Sequence, residues 1–505
     1  MTSAAPTPPA APTGTSSSDL PAGAPPHRLP RAAPAERGVD AAGVLALLDA
    51  LESTPGVEPH SLLVVRGGAV VAEGWWAPYA ADRVHLLYSL SKSFTATALG
   101  LLVDAGRVDL DDTLVSRFPE LEADVTDPRS RAVRVRHVAA MASGHREETL
   151  ERARALDPAD LVRGFLLLRP DAEPGTVFAY NQPCTYSLAA LVQRESGQRL
   201  TEFLRPRLFD PLGIGEVGWT ADGSGREIGW SGLHARTEDV AALGELHLRG
   251  GRWGGRQLLS PEWVETATRS HVDSADGMPN PDWQRGYGFQ FWRARHGYRG
   301  DGAYGQFCLV LPEQDAVVAI TSQSPDMQAV LDAVWEHLLP ALGVPASGER
   351  DAELARRLAG LALPPLTGEG APDLPAQLAA GAAGVELVRA PGDAESSGDQ
   401  PQLTSALLRP AGDAGDAGSG AWELQLREPG SVLTVPVVVD GWAEGDAVAA
   451  TAAWRGGVLA VDVVLVETPH RLHVLADLTA GTFTARWGTR PLHGSPLTEL
   501  RCPRP

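Results

Sequence analysis

Apolar and polar positions along the chain follow patterns that predict helices and strands in a definite order. Asp40 is placed to cap a helix, because apolar residues follow it at positions 44, 45, 47, 48 and 51, the spacing of one helix face. Residues 61–65 and 69–72 are apolar runs joined by a short glycine-containing turn, which predicts a β-hairpin. Another apolar run, over residues 94–103, predicts a buried helix directly after a serine-rich segment.

The middle of the chain, residues 108–281, has helical spacing interrupted by Pro, Gly and Asp, and it contains few strand patterns. We interpret it as a helical insertion. After it, residues 287–292, 306–311 and 316–320 predict three strands, and residues 327–339 predict a last helix. This order predicts an α+β fold, an antiparallel sheet flanked by helices, in which the two ends of the segment meet in one sheet.

Composition divides the chain into four parts. Residues 1–34 form a Pro/Ala-rich tail that is expected to be disordered, and residues 35–345 form the α+β domain. Residues 346–370 are predicted to be a linker, and 371–505 a small all-β domain with a mobile loop at 391–420. All candidate chemistry precedes the linker, so the β-rich domain is expected to be accessory.

The formal net charge of −20 argues against nucleic acid and anionic membranes as partners, since both favour a basic surface. Three cysteines, an odd number without metal-ligand spacing, predict neither a disulfide framework nor a metal site. No cofactor is indicated. The N-terminus lacks a signal-peptide pattern and no apolar run is long enough to span a membrane, so a cytoplasmic location is predicted.

Lys92 is the only lysine among the 505 residues. Arginine stays protonated at ordinary pH, whereas a desolvated lysine amine can lose its proton and act as a base. Ser89 precedes Lys92 by three residues, so at the start of a helix both side chains would lie on one face within hydrogen-bond reach. The pair predicts a serine nucleophile activated by a neutral amine.

Three other motifs indicate less. Residues 300–305 match G-x-G-x-x-G, but a strand is predicted after them where a dinucleotide loop needs a helix, so we interpret them as a turn and strand edge that allows close backbone approach. Residues 229–232 stop short of the Gly-x-Ser-x-Gly nucleophile elbow. His470 and His473 have no third ligand in view, and we interpret them as two surface histidines.

Ser89, Lys92, Tyr180 and the strand edge at residues 300–303 together resemble the serine β-lactamase and penicillin-binding-protein superfamily. The likeness is to the branch that holds class C β-lactamases, family VIII carboxylesterases and 6-aminohexanoate-dimer hydrolases. The likeness covers about residues 35–345. Its three motifs occur in order: Ser-x-x-Lys at Ser89 and Lys92, Tyr-x-Asn at Tyr180, and Lys-Thr-Gly near Gly300. The resemblance implies a β-lactamase/transpeptidase-like fold with a large helical insertion, and it implies catalytic roles for Ser89, Lys92 and Tyr180.

By this resemblance, Tyr180 would share the base role with Lys92, as a phenol whose pKa falls beside an ammonium. The backbone N–H groups of Ser89 and Ala303 would hold the oxyanion, with Gly302 at the same strand edge.

Two of the motifs depart from the family pattern. The third position of the second motif is Gln182, a longer amide, and the third motif is Gly300-Asp301-Gly302, without the lysine or the hydroxyl. Asp301 is expected to place an uncompensated negative charge where the carboxylate of a β-lactam would bind, which disfavours β-lactams relative to neutral esters.

The leading interpretation is a serine hydrolase that acts through an acyl-enzyme at Ser89 on a small ester or amide, with Gln182, Gly302 and Ala303 contacting the substrate. A β-lactamase or D-amino-acid peptidase is an alternative enzyme. A catalytically silent binding protein of the same fold is an alternative of a different class, and intact Ser89, Lys92 and Tyr180 argue against it.

Overall fold

The computed structural model describes residues 29–276, 278–369, 384–390, 400, 402–411 and 421–504. The α-helices in these residues are α1 (Ala41–Ser53), α2 (Ser91–Asp104), α3 (Leu114–Arg117), α4 (Pro128–Ala132), α5 (Val135–Ala139), α6 (Leu150–Leu156), α7 (Leu161–Leu167), α8 (Gln182–Ser196), α9 (Leu200–Leu204), α10 (Asp210–Leu212), α11 (Thr237–Leu248), α12 (Pro261–Thr268), α13 (Met327–Ala333) and α14 (Asp351–Ala359). None of the described helices combines the length and the apolar composition needed to cross a membrane.

The strands follow the same numbering along the described residues. They are β1 (Glu58–Arg66), β2 (Ala69–Trp75), β3 (His85–Leu86), β4 (Gly218–Trp219), β5 (Leu233–Ala235), β6 (Arg252–Trp253), β7 (Arg256–Gln257), β8 (Trp292–Arg293), β9 (Tyr298–Gly302), β10 (Gln306–Leu311), β11 (Ala316–Gln323), β12 (Val385–Arg389), β13 (Ser405–Pro410), β14 (Ala421–Glu428), β15 (Ser431–Val438), β16 (Ala443–Glu444), β17 (Ala449–Arg455), β18 (Val458–Val464), β19 (Arg471–Asp477) and β20 (Thr482–Trp487).

The α+β domain is built on an antiparallel sheet of order β2-β1-β11-β10-β9-β8 in the described residues. Strand β1 pairs with β2 as the predicted hairpin and with β11 from the far side of the insertion, so both ends of the segment meet in one sheet as expected. The Asp40 side chain accepts a hydrogen bond of 2.9 Å from the Ala42 N–H and caps α1. The predicted α+β class is confirmed.

The strand predicted at residues 287–292 is wrong. Only Trp292 belongs to a strand there, because Gln290 has a left-handed backbone, φ 61°, and the chain reverses. At Gly288, a Cβ atom would lie 2.3 Å from the Ala267 carbonyl oxygen, so this segment packs by close backbone approach. The next strand is β9, which places the Gly300 region inside the main sheet, between β8 and β10.

The folded chain begins earlier than residue 35. Leu29 is buried in the core, and the backbone of residues 30–32 lies along β2: the Val70 N–H donates to the Pro30 carbonyl at 2.7 Å, and the Ala32 N–H donates to the Val70 carbonyl at 3.0 Å. Residues 29–34 of the predicted tail are therefore ordered, because they satisfy backbone groups on the edge strand. Residues 1–28 lie outside the described residues.

The predicted linker contains α14, whose Leu354 is buried against the α+β domain. The β-rich domain that follows is one described sheet of order β15-β14-β13-β12-β20-β19-β18-β17-β16, with its only parallel neighbours at β12 and β20. An isolated bridge joins Val439, directly after β15, to Ala452 in β17, so the β15 end of the sheet approaches the opposite side. Residues 405–410, predicted to be part of a mobile loop, form β13; residues 391–399, 401 and 412–420 lie outside the described residues.

The β-rich domain packs directly on the α+β domain. Ala449, Val464 and Val466 share a hydrophobic core with α1 and the main sheet. The Leu86 N–H donates to the Glu467 carbonyl at 2.8 Å, directly before the segment that carries Ser89. This contact brings the second domain to the predicted nucleophile.

Candidate active site

Ser89 lies in a single 3₁₀ turn, Tyr88–Leu90, immediately before α2. Lys92 is the second residue of α2, so the two side chains are one turn apart, as their spacing predicted. The Lys92 Nζ lies 3.0 Å from the Ser89 Oγ. Ser89 is partly exposed, whereas Lys92 is buried.

The Lys92 amine has neutral hydrogen-bond partners. Besides Ser89, it donates to the Trp230 backbone carbonyl at 2.8 Å. Burial lowers the pKa of Lys92 to about 7, although the more distant charges of Asp301 and Glu148 act to raise it. A buried amine that makes no hydrogen bond to a carboxylate is neutral in a large fraction of molecules near neutral pH, as a general base requires.

The neighbouring serines point away from the site. Ser91 is buried and its Oγ donates to the Tyr88 carbonyl at 2.6 Å, while it accepts from the Leu233 N–H at 3.1 Å. Ser93 is also buried and donates to the Gln290 carbonyl at 3.0 Å. Both hydroxyls are committed to the local structure, which leaves Ser89 as the serine of this segment that faces the amine.

Tyr180 lies beside this pair, but its pKa moves opposite to the sequence-based expectation. The Lys92 Nζ is 4.7 Å from the centroid of the Tyr180 ring, and the ring stacks on Trp292 with centroids 5.4 Å apart. Burial raises the pKa of the Tyr180 phenol, and the Asp301 charge raises it further, while hydrogen bonding to Ser89 lowers it only in part. The phenol is therefore protonated at neutral pH, because burial disfavours the charged phenolate.

The end of β9 closes the site on the other side. A Cβ atom on Gly302 would lie 2.0 Å from the Leu87 carbonyl oxygen, and one on Gly300 would lie 2.5 Å from the Ser93 Oγ. These glycines thus let β9 approach the Ser89 turn, as the interpretation of a strand edge proposed. Ala303 follows directly, in the turn to β10, and is partly exposed.

The expectation that the Asp301 charge has no compensating cation is wrong. The Arg299 Nε donates to the Asp301 Oδ2 at 3.0 Å, and the guanidinium is fully buried. Arg299 also stacks over Trp283, with its Cζ 4.4 Å from the ring centroid. Residues two apart on a strand lie on the same face, so the Arg-Gly-Asp order at positions 299–301 was the signal that could have found this pair.

Gln182 begins α8, close to Tyr180 in sequence. Its backbone N–H donates to the Glu148 Oε1 at 3.2 Å, and its side-chain Oε1 is buried without a hydrogen-bond partner among the described residues. The preceding residue, Asn181, has a structural role: its Oδ1 accepts hydrogen bonds from both the N–H and the hydroxyl of Thr149, at 3.0 and 2.9 Å. A substrate role for Gln182 stays a prediction.

One of the two histidines interpreted as surface residues is neither exposed nor remote. His470 has no exposed surface, and its Nε2 lies 2.6 Å from the Tyr88 hydroxyl. The interpretation failed because the fold of the β-rich domain turns this residue toward the other domain. His473 is exposed, as expected of a surface residue, and its Nδ1 lies 2.5 Å from the Asp462 Oδ1.

The fold agrees with comparisons to known proteins. A family model described as Beta-lactamase matches residues 7–341. This protein belongs to the β-lactamase family. The family match begins before residue 35, as does the ordered backbone.

Relatives of this β-lactamase family member include hydrolases. The 6-aminohexanoate-dimer hydrolase of Paenarthrobacter ureafaciens is 30% identical over 286 residues, which cover 53% of this chain and 73% of the relative. The lovastatin esterase of Penicillium rubens is 27% identical over 229 residues, covering 38% of this chain and 56% of that protein. The predicted superfamily and the predicted enzyme class, a serine hydrolase, are confirmed.

A solved structure described as a putative 6-aminohexanoate-dimer hydrolase from Bacillus anthracis is similar in fold. The TM-score is 0.50 at 21% sequence identity, and the match covers 62% of this chain and 86% of the other. It supports a β-lactamase-like architecture for the α+β domain.

Proposed function

We propose that this protein hydrolyses small esters or amides through an acyl-enzyme at Ser89, with Lys92 as the general base. The observation that carries the proposal is the buried Lys92 amine, with a pKa lowered to about 7, at 3.0 Å from the Ser89 hydroxyl. A silent binding protein would have no reason to keep a desolvated amine against a partly exposed serine.

In the acylation step, the neutral Lys92 amine accepts the proton of the Ser89 hydroxyl while Oγ forms a bond to the substrate carbonyl carbon. The Trp230 carbonyl holds one amine N–H at 2.8 Å. That bond orients the nitrogen and leaves its lone pair for the Ser89 proton.

The carbonyl oxygen of the substrate takes up negative charge as Oγ adds. The backbone N–H groups of Ser89 and Ala303 are the proposed donors to it, supported by the close contact of β9 with the Ser89 turn at Gly302. Removing one donor of this kind typically costs about a hundredfold or more in rate.

When the carbonyl re-forms, the bond to the leaving group breaks, and that group needs a proton. The Tyr180 phenol is protonated and close to both Ser89 and Lys92, so it donates this proton and is reprotonated by the Lys92 ammonium. Water then attacks the ester carbonyl of the acyl-enzyme and gives its proton to Lys92. The Ser89 oxygen regains that proton as the acid product leaves.

The proposed substrates are uncharged at the end that meets β9. Arg299 is already paired with Asp301, so it is not free to bind a substrate carboxylate there. The net charge of the pair is zero. Penicillins and cephalosporins carry such a carboxylate, whereas simple esters and ω-amino-acid amides need not. An esterase and a 6-aminohexanoate-dimer hydrolase among the relatives support ester and amide substrates in general.

A fluorophosphonate probe tests the nucleophile directly. After reaction with the protein, peptide mass mapping is expected to find the label on Ser89, and Ser89→Ala is expected to lose both labelling and hydrolysis of p-nitrophenyl butyrate. Ser53→Ala, which removes an exposed hydroxyl at the end of α1, is the control and is expected to keep both. A label on another residue, or normal turnover by Ser89→Ala, would overturn the proposal.

The substrate class is tested by comparing p-nitrophenyl butyrate with nitrocefin in one preparation. We expect the ester to have the larger kcat/KM. If nitrocefin is the better substrate, the enzyme is a β-lactamase and the argument from the Arg299–Asp301 pair is wrong.

A further inference from the structure

The β-rich domain reaches the residue next to the nucleophile. The His470 Nδ1–H donates to the Thr489 carbonyl at 2.9 Å, which leaves Nε2 as the acceptor for the Tyr88 hydroxyl at 2.6 Å. The Leu492 N–H donates to the same Tyr88 oxygen at 3.4 Å. Two groups of the second domain therefore fix the side chain that precedes Ser89.

Tyr88 is a residue that needs such fixing. Its φ is 47°, in the left-handed region, which is a strained conformation for a bulky residue and persists only where the surroundings determine it. The strained residue and the nucleophile are adjacent, so contacts that hold Tyr88 also hold the Ser89 turn.

The same part of the second domain forms one wall of a cavity beside the site. The cavity has a volume of about 950 Å³, and its lining includes Tyr88, Trp230, Leu492 and His493. Tyr88 adjoins Ser89 in the chain, and the Trp230 carbonyl accepts the Lys92 hydrogen bond. The cavity therefore adjoins the residue that precedes the nucleophile and the residue that accepts a hydrogen bond from the base.

Residues 490–494 are named here the 490–494 segment. They are hydrogen-bonded to the α+β domain at this wall. The Tyr304 hydroxyl donates to the Arg490 carbonyl, and the Leu492 N–H is bound to Tyr88. Burial lowers the pKa of His493, and the nearby Lys92 charge contributes in the same direction, so the segment lies within electrostatic range of the base.

The chemistry of the cavity favours an apolar guest. The Leu492 side chain is 55% exposed although it is apolar, and it lines the cavity. Four of its five Asp, Glu and Arg residues already have partners: Arg154 pairs with Glu151 at 2.9 Å, Asp222 accepts from the Tyr186 hydroxyl at 2.6 Å, and Arg501 and Arg504 pair with Asp446. An exposed leucine beside satisfied charges gains most from contact with a hydrocarbon group.

We propose that the 490–494 segment is the substrate-selecting wall of the active site, that Leu492 is a specificity-determining residue, and that the group it selects is an uncharged, apolar acyl chain. The inference rests on the proposed function, since it assigns part of the substrate of the same serine. The β-rich domain is then a component of the active site and not an accessory module.

The test is the dependence of kcat/KM on acyl-chain length, measured with p-nitrophenyl acetate, butyrate and octanoate on the full-length protein. Leu492→Trp fills part of the cavity and is expected to lower the octanoate-to-acetate ratio of kcat/KM at least about tenfold, because a bulky wall excludes long chains. Leu492→Ala is also expected to lower the ratio, because it removes apolar contact with the long chain. Leu475→Trp is the matched control, a leucine of the same domain that is 49% exposed and does not line the cavity, and it is expected to keep the parental ratio.

Circular dichroism checks that each variant is folded, and Ser89→Ala is assayed on the same three esters. If both Leu492 variants keep the parental ratio while Ser89→Ala is inactive, the inference is overturned and the proposed function stands. If Ser89→Ala turns over the esters normally, the proposed function itself has failed. A change of the ratio in Leu475→Trp equal to that in Leu492→Trp would also overturn the inference.

Discussion

Two buried cations lie near the candidate site, and the protein uses them in opposite ways. Lys92 is 1% exposed and contacts neutral oxygen atoms, and burial lowers its pKa to about 7. Arg299 has no exposed surface, is paired with Asp301 and stacks on Trp283. Burial without a carboxylate partner makes an amine a base, whereas burial with one makes a guanidinium a structural group.

The largest expected effect comes from exchanging one kind of cation for the other. Lys92→Arg is expected to lower kcat for p-nitrophenyl butyrate by at least about a hundredfold, because arginine cannot serve as a general base and such bases contribute about that much. Lys92→Met is expected to lower kcat by as much, since methionine also has no amine that can accept the Ser89 proton. Near-normal kcat in folded Lys92→Arg would mean that Lys92 only packs or stabilises charge.

The next effect concerns the paired cation. Asp301→Asn leaves the buried Arg299 charge without its carboxylate, and breaking a buried ion pair in this way is expected to cost about 3 kcal/mol of unfolding free energy. Urea denaturation followed by circular dichroism measures it. The double variant Arg299→Met with Asp301→Asn is expected to recover part of the loss; a double variant no more stable than Asp301→Asn would show that the unpaired charge is not the cause.

The lowered pKa of Lys92 predicts the pH dependence of the reaction. The protonated amine cannot accept the Ser89 proton, so kcat/KM is expected to rise with pH up to about 7 and then to level off. At one pH unit below the pKa, only about a tenth of the amine is neutral, so the rate is expected to be about a tenth of its plateau. A rate–pH profile that is flat between pH 5.5 and 8.5 would contradict the role of Lys92 as the base.

The smallest expected effect comes from a carboxylate at the edge of the site. Glu148 is exposed, and its charge helps to raise the pKa of Lys92, so Glu148→Gln is expected to move the acidic limb of the profile to lower pH, by less than about one unit because an exposed charge is screened. Glu147→Gln is the control, since Glu147 is an exposed neighbour paired with Arg152. A shift to higher pH, or equal shifts in both variants, would contradict the electrostatic argument.

Sequence reasoning worked best where the signal is local. The three-residue spacing from Ser89 to Lys92 and the cap at Asp40 depend on one turn of backbone, and both appear in the structure as expected. It failed at residues 287–292, where an aromatic run typical of a strand is interrupted by the left-handed Gln290. A strand pattern records side-chain preference and does not reveal that the chain reverses.

The candidate site shows the same division. Residue type, spacing and periodicity along neighbouring positions were enough to predict the nucleophile and base candidates, the order of the motifs and the α+β class. Three features could be found only in the folded molecule: Tyr180 stays protonated, Arg299 neutralises Asp301, and His470 contacts the residue before the nucleophile. Burial and charge pairing depend on groups far apart in the chain, and their free energies exist only once those groups have been brought together out of water.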